Sequence, residues 1–463
     1  MAKARSFFYC RECGYQSSSW LGKCPSCGQW NTFDEEVVQK SAGVGRLAAK
    51  GGGASMPKLI QQVTYSATRR MTTHCAEFDR VLGGGVVPGS LLLIGGEPGI
   101  GKSTLLLQTA LSIKDRKVLY VSGEESEEQI KMRADRVETL ALSNATAAGA
   151  EGCYVVSETS MERIFEHIES VRPDLVIVDS VQTVNTEIID SGSGSISQIR
   201  ECTTQFQRYA KEHGIPVLLV GHITKDGTLA GPKVMEHIVD AVLQFEGDRN
   251  YGFRILRALK NRFGSTAEIG IFEMQGSGLC EVSNPSQLLL SHRDEMLSGA
   301  SVAATLEGGR PMFIEVQSLV SSAVYGTPQR NANGFDMRRM SMLLAVLEKR
   351  CGFKLGAKDV FLNMAGGMRV SDPALDLAVA CSILSSNVDI PISPRHCFAA
   401  ELGLGGEVRP VGRVEQRIGE ADRLGFERIF ISKYDAKSVD PSRYRIRIVP
   451  VCVIEEAFRE LFA

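Results

Sequence analysis

Residues 95–104 read GGEPGIGKST, between the apolar run SLLLI and the helix-like run LLLQTALSI. Gly96, Gly101, Lys102 and Ser103 stand at the fixed positions of GxxxxGK[ST]. That spacing lets unprotected backbone N–H groups wrap a phosphate where a helix begins, with the positive end of the helix behind it. The chemistry is ATP binding. Gly96, Glu97, Pro98, Gly99, Ile100, Gly101, Lys102, Ser103 and Thr104 form the cradle, the Lys102 ammonium neutralises the outer phosphates, and the Ser103 hydroxyl holds Mg²⁺. A plain glycine turn is the competing reading, and the strand before and helix after the motif weigh against it.

A magnesium nucleotide also needs a carboxylate at the carboxyl end of a neighbouring strand, where ligands collect in open α/β sheets. LVIVD supplies Asp179, and SVQT after it brings polar groups able to sense the nucleotide. Hydrolysis further needs a base to orient water, and VLYVSGEES ends another strand with two acids, Glu124 and Glu125. Glu124 is preferred. A helix-capping role is the alternative for either.

CREC and CPSC give Cys10, Cys13, Cys24 and Cys27, two CxxC pairs separated by ten residues. Two such knuckles complete a tetrahedron of thiolates, the pattern of a structural Zn²⁺ site, with a redox CxxC as the competitor. So short a module cannot build an adequate core, so metal binding is what folds it. Phe8, Tyr9, Trp20 and Trp30 are expected to pack around the knuckles rather than stack on bases. The other eight cysteines are scattered singly and read as small core hydrophobes.

The elements that position these groups fall into blocks. A chain of 463 residues is too long for one compact core. Residues 1–33 are the cysteine module, 34–66 an aperiodic linker, 67–284 an ATPase domain and 285–463 a second α/β domain. In the ATPase block, SLLLIGG, KVLYVSG, DLVIVD and IPVLLVG alternate with helical patterns, as a parallel sheet requires, and AVLQFEG, FRILRALK and EIGIFEM continue as a meander. In the last block, MFIEVQSLV, RRMSMLLAVLEKR and DPALDLAVACSILSS read as strand, helix, helix, with Asp372 and Pro373 suited to a helix start. With 54 acidic against 52 basic residues, a polyanion must be held by local patches. The amino terminus lacks the apolar core of a signal peptide, and no run approaches the roughly 18 apolar residues of a membrane span, which predicts a cytoplasmic protein without membrane contact.

FDRVLGGGVVPGSLLLIGGEPGIGKSTLLLQ resembles RecA-type ATPases. Together with KNRFG at 260–264 and the four amino-terminal cysteines, it makes nearly the whole chain similar to the bacterial RadA (Sms) family. The resemblance implies a DNA-dependent ATPase of recombination and DNA repair. It implies a hexameric ring on single-stranded and branched DNA that promotes branch migration of strand-exchange intermediates beside the RecA recombinase. Lys260 and Arg262, in a turn closed by Gly264, are badly placed in sequence for their own phosphate loop and suited to a neighbour's nucleotide, which requires an oligomer. A solvated basic turn is the plain alternative. The RecA-like reading also turns NTEIIDSGSGSISQIR and GHITKDGTLAGPKVMEH toward a central channel. There Arg200, Lys225 and Lys233 meet phosphates, and His222 reports nucleotide state.

ELGLGGEVRPVGRVEQRIGEADRLGF resembles the proteolytic domain of Lon, which raises an ATP-dependent protease as a rival. That chemistry needs a serine and a lysine. The resemblance puts Ala374 at the nucleophile and Glu415 at the base, and neither Ser371 nor Ser382 has an evident lysine partner. An inactive platform for oligomerisation and DNA binding is the better reading. Its basic stretch holds Arg330, Arg338, Arg339, Lys349 and Arg350, of which Arg338 and Arg339 are the expected DNA contacts. A third reading is a RecA-like regulatory ATPase without a DNA role. The expected fold is α/β: an N-terminal zinc ribbon, a RecA-like parallel-sheet ATPase core and a C-terminal Lon-protease-like domain.

Overall fold

A computed structural model describes residues 5–10, 16–25, 28–38, 59, 70–141, 152–222, 233–247, 253–282, 286, 290, 296–323, 327–367 and 370–462. Two compact units divide at Val282 and Ser283.

In the first unit, β1 (Arg5–Cys10) pairs antiparallel with both β2 (Gln16–Ser17) and β3 (Phe33–Val38). Cys10, Cys24 and Phe33 are buried together, with Phe8 and Leu21 packed against them. Among the described residues this cluster is small, and a module with so little apolar surface needs a further source of stability.

The same unit holds a nine-stranded sheet among the described residues. Its elements are α1 (Ala76–Leu82), β4 (Leu91–Gly96), α2 (Lys102–Ser112), β5 (Val118–Ser122), α3 (Glu127–Ala141), β6 (Cys153–Ser157), α4 (Met161–Val171), β7 (Leu175–Asp179), α5 (Ile196–His213), β8 (Val217–His222), α6 (Lys233–Ile238), β9 (Ala241–Glu246), β10 (Phe253–Asn261), β11 (Ile269–Gln275) and β12 (Gly278–Glu281). The sheet order is β12-β11-β10-β9-β4-β8-β7-β5-β6. The strands from β9 to β6 pair in parallel, and the meander β9 to β12 is antiparallel. Strands β4, β5 and β7 are buried along their whole length. Helices cover both faces of the parallel part, which is why LLLI, VLY and LVIV are continuous rather than alternating. Separate apolar clusters fill the two faces. One is built around Phe78, Leu106 and Tyr120, the other around Ile164, Phe206 and Leu219. Helix α5 shows how its sequence does this: Ser195 caps its start, Gly214 at φ 72° ends it, and Ile199, Cys202, Phe206 and Ala210 form one buried stripe.

The second unit has a seven-stranded sheet among the described residues. It uses β13 (Ala300–Glu307), β14 (Arg310–Ser322), β15 (Arg330–Asn333), α7 (Met337–Cys351), β16 (Lys358–Met364), α8 (Asp376–Val388), β17 (His396–Ala399), α9 (Val414–Arg423), β20 (Arg428–Ser432) and β21 (Arg447–Val451), with β18 (Glu401–Leu402) and β19 (Val408–Arg409) as a separate hairpin. Helix α8 is apolar nearly all round and buried over Asp376–Ser385. Asp372 caps a short 3₁₀ turn, Pro373–Leu375, that leads into it, as its sequence predicts. No helix among the described residues is long and apolar enough to cross a membrane.

Candidate active site

The phosphate loop joins the buried end of β4 to α2. Gly101 caps α2 at φ 118°, a conformation that side chains avoid. A Cβ there would also stand 2.8 Å from Met274 Cε and 3.2 Å from Leu279 Cδ1, so the β11–β12 hairpin closes against the loop only because the position is bare. Glu97, Pro98 and Gly99 face solvent, whereas Gly96, Ile100 and Lys102 are buried. Lys102 Nζ donates to the carbonyls of Gly96 (2.7 Å) and Glu97 (2.9 Å), which holds the ammonium inside the loop. Burial brings its pKa down to about 8, against the opposing pull of Asp179, Glu124 and Glu97. Ser103 and Thr104 follow on the first turn of α2, both half-buried.

Asp179 ends β7 in register with Ser122, the last residue of β5. Its Oδ2 accepts a 2.6 Å hydrogen bond from the buried Tyr120 hydroxyl. The short O–H···O⁻ contact fixes the carboxylate and satisfies a phenol that would otherwise be stranded in the sheet. The two strand ends are locked further. Gly123 N donates to Asp179 O at 2.9 Å, and a Cβ on Gly123 would fall 1.9 Å from Thr183 Oγ1. After that tight crossing Glu124 Oε1 accepts from the Ser180 hydroxyl at 2.6 Å, while Glu125 pairs with Arg133 of α3. The carboxylate of Glu124, not that of Glu125, therefore joins Asp179 beside Lys102. In the loop after Asp179, both polar atoms of the Gln182 amide are shielded from solvent and lack a partner among the described residues. Lys102, Ser103 and Asp179 fit a magnesium nucleotide: an ammonium, a hydroxyl at a helix start and an anchored carboxylate converge at the carboxyl ends of the parallel strands.

KNRFG lies at the other end of the sheet. Strand β10 runs antiparallel to β9 and ends opposite Ala241, which is in register with Leu92 at the start of β4. The run of β4 from Leu92 to Gly96 spans roughly 13 Å. Lys260 Nζ donates to the carbonyls of Glu236 (2.5 Å) and Val239 (2.8 Å), and burial followed by the charge of Arg262 lowers its pKa. Arg262 is half-exposed and reaches Asp240 at 3.3 Å. Asp240 also takes Lys211 at 2.7 Å and Leu91 N at 3.0 Å. Asn261 Nδ2 donates to Val81 O at 3.2 Å and Arg70 Nη2 to Phe263 O at 2.7 Å, so the turn is pinned to α1 and the segment before it.

Of the expected DNA contacts, Lys225 lies outside the described residues. His222 ends β8 in register with Gly96, Lys233 begins α6, and Arg200 is exposed on α5. On α7, Arg338 is exposed. Arg339 instead grips the fully buried Asp376 with Nε–Oδ1 at 2.6 Å and Nη2–Oδ2 at 2.5 Å, and also reaches Glu401 at 3.5 Å. That ion pair commits its guanidinium to the interior, and the i, i+4 pattern that marks α7 does not reveal it because the acid is on α8. Ala374 is fully buried and Glu415 exposed. Around them Asp372 holds Ala374 N (3.0 Å), Leu306 N (2.8 Å) and the buried Arg417 (2.7 Å). Ser382 Oγ meets Ser318 Oγ at 2.6 Å, and Ser371 is exposed.

In the ribbon, Cys10 and Cys24, one from each CxxC pair, are buried in one cluster, and Gly28 N donates to Cys24 O at 2.9 Å in a knuckle turn. These two thiols are half of the four-thiolate set that would hold Zn²⁺; Cys13 and Cys27 lie outside the described residues. Phe8 packs as expected. Trp20 and Trp30 do not: they are 53% and 67% exposed. The small core closes with Phe33 and Leu21 and leaves the indoles outside.

Three family profiles match, in chain order: a rubredoxin metal binding domain over 8–35, an AAA domain over 72–228, and the ChlI subunit of Mg-chelatase over 316–435. Fold and site together define a RecA-like phosphate-loop ATPase with an amino-terminal zinc ribbon and a Lon-like carboxyl-terminal domain. The chain is 49% identical to the DNA repair protein RadA of Bacillus subtilis over 99% of both chains. It is 48% identical to that of Streptococcus pyogenes over the full length of both, and 48% identical to that of Listeria monocytogenes over 94% of this chain and 93% of the relative. It belongs to the RadA family of DNA repair proteins. Among solved structures, it aligns with the RadB recombinase at 21% identity over 46% of this chain and 99% of that one, with a TM-score of 0.37.

Proposed function

We propose that this protein is a DNA-dependent ATPase of recombination and repair, working as a cytoplasmic, hexameric ring on single-stranded and branched DNA. Hydrolysis between adjacent subunits changes the grip of the DNA-facing loops and drives branch migration of RecA strand-exchange intermediates. One observation carries the shared-site part of this reading. The half-site with Lys102, Glu124 and Asp179 lies at the carboxyl ends of the strands, and Lys260 and Arg262 lie past their amino ends. A cation that cannot reach its own phosphates can complete a neighbour's, and such groups are worth roughly 10³–10⁵ in rate in other phosphoryl-transfer enzymes. In this scheme Lys102 binds the outer phosphates, Asp179 and Ser103 hold Mg²⁺, and Glu124 orients the attacking water.

The test is subunit mixing. Lys102→Ala and Arg262→Ala variants, each inactive alone, are expected to regain part of the ATPase rate when combined. No recovery at any ratio with assembly intact would remove the shared site. A regulatory ATPase without a DNA role is the second reading, favoured if single-stranded DNA leaves the ATPase rate unchanged. Proteolysis is not proposed, because Ala374 and Glu415 stand where a nucleophile and base are needed.

A further inference from the structure

The chain has two tryptophans, and both lie in the ribbon. Tryptophan is highly buried on average, so 53% and 67% exposure for Trp20 and Trp30 needs a reason. The rings converge. A Cβ on Gly22 would lie 3.7 Å from Trp20 Cζ3 and 3.9 Å from Trp30 Cζ3, so the bare glycine is the floor between two indoles. The backbone fixes this: Lys23 and Trp30 form an antiparallel bridge, and Asn31 N donates to Gly22 O at 2.8 Å. Lys23 Nζ stands 5.5 Å from the centroid of the Trp30 ring. Lys23 is also the one charged residue between 16 and 33; the flanking acids in sequence are Glu12 and Asp34, the latter on β3. Among the described residues of this stretch, the other exposed ones are Ser18, Ser19, Pro25, Gly28, Gln29 and Asn31, mostly small or polar.

We propose that Trp20 and Trp30, with Lys23, form a base-stacking site for single-stranded DNA on the zinc ribbon. The inference rests on the DNA-linked reading above and adds a contact outside the ATPase channel. Indole faces accept any unpaired base, whereas in a duplex both faces of each base are already stacked, and a neighbouring cation meets the phosphate. A protein-docking patch would be more broadly apolar; the exposed residues nearest these indoles in sequence are mostly serine, glutamine and asparagine.

The test uses the full-length protein and a fifteen-residue oligo-dT. Because both tryptophans are in the site, intrinsic indole emission reports on it alone, while the anisotropy of a labelled copy of the oligonucleotide reports total binding. Emission is expected to be quenched in step with anisotropy by the single strand, and not by a duplex of equal length. Replacing both residues by alanine is expected to weaken binding roughly five- to 150-fold per stacked base, with phenylalanine at both positions restoring most of it. ATPase without DNA and zinc content should stay unchanged, as neither indole is in the ribbon core. If the alanine protein loses zinc, the wild-type emission titration decides alone. Full anisotropy binding with unaltered emission would overturn the stacking site and leave a protein-docking patch, with the DNA-linked reading intact. No binding of the oligonucleotide at any nucleotide state would overturn both.

Discussion

At the scale of single residues, Lys102, Tyr120 and the two adjacent glutamates make separable predictions. Lys102→Ala should abolish hydrolysis and weaken binding of a fluorescent ATP analogue. The Lys102 ammonium titrates near pH 8. Affinity should therefore hold below that pH, where the group is charged, and decline above it, as a titration at fixed Mg²⁺ would reveal. Tyr120→Phe keeps the buried ring but removes the donor to Asp179. It should cost about 1.5–3 kcal/mol of stability and raise the Mg²⁺ needed for tight nucleotide binding, read by melting and by binding with and without the metal. Glu124→Gln should lower turnover by about 10²–10⁴-fold with ATP still bound. Glu125→Gln, which loses the pairing with Arg133, should lower the melting temperature and keep most turnover. The reverse pattern would move the base to Glu125. The phosphate loop is legible from sequence because its residues are contiguous. Tyr120 is not, since its partner is 59 positions away and is met only through the β5–β7 register.

At the scale of elements, continuous apolar runs announce parallel strands because burial on both faces removes the polar alternation. SLLLIGG, KVLYVSG, DLVIVD and IPVLLVG accordingly appear as β4, β5, β7 and β8. Sheet order is not written in those runs, so only the fold sets KNRFG at the far end from the phosphate loop. Helix α7 shows the same limit. Its periodicity exposes a basic face, yet one arginine of the pair points inward. Arg339→Ala would leave Asp376 buried and unpaired and should cost about 3–5 kcal/mol in a denaturant melt. Arg338→Ala should leave the melt unchanged and weaken duplex binding. Loss of stability from Arg338→Ala, or none from Arg339→Ala, would reverse these roles.

At the scale of the whole molecule, three modules rest on different sources of stability. The two large sheets carry extensive apolar cores, and among its described residues the ribbon buries only a handful of side chains. Removing zinc with a chelator should therefore unfold the ribbon while nucleotide binding survives, with proteolysis of residues 5–38 and retained binding of the ATP analogue as paired readouts. The four cysteines declare that module through spacing alone. The outward tryptophans escape prediction because aromatic content says nothing about how few side chains a metal-held core can admit.

The ion pair between Asp372 and Arg417 bears on what this domain could be engineered to do. It ties Ala374 N, Leu306 N and a buried guanidinium into one knot beside the position that the Lon resemblance assigns to a nucleophile. Reinstating serine at 374 and lysine at 415 would bury a hydroxyl behind that knot and hang an amine out in water. Those two substitutions alone should therefore yield no peptide-bond cleavage, because the pair would stay apart and the Asp372–Arg417 contact would stay in place.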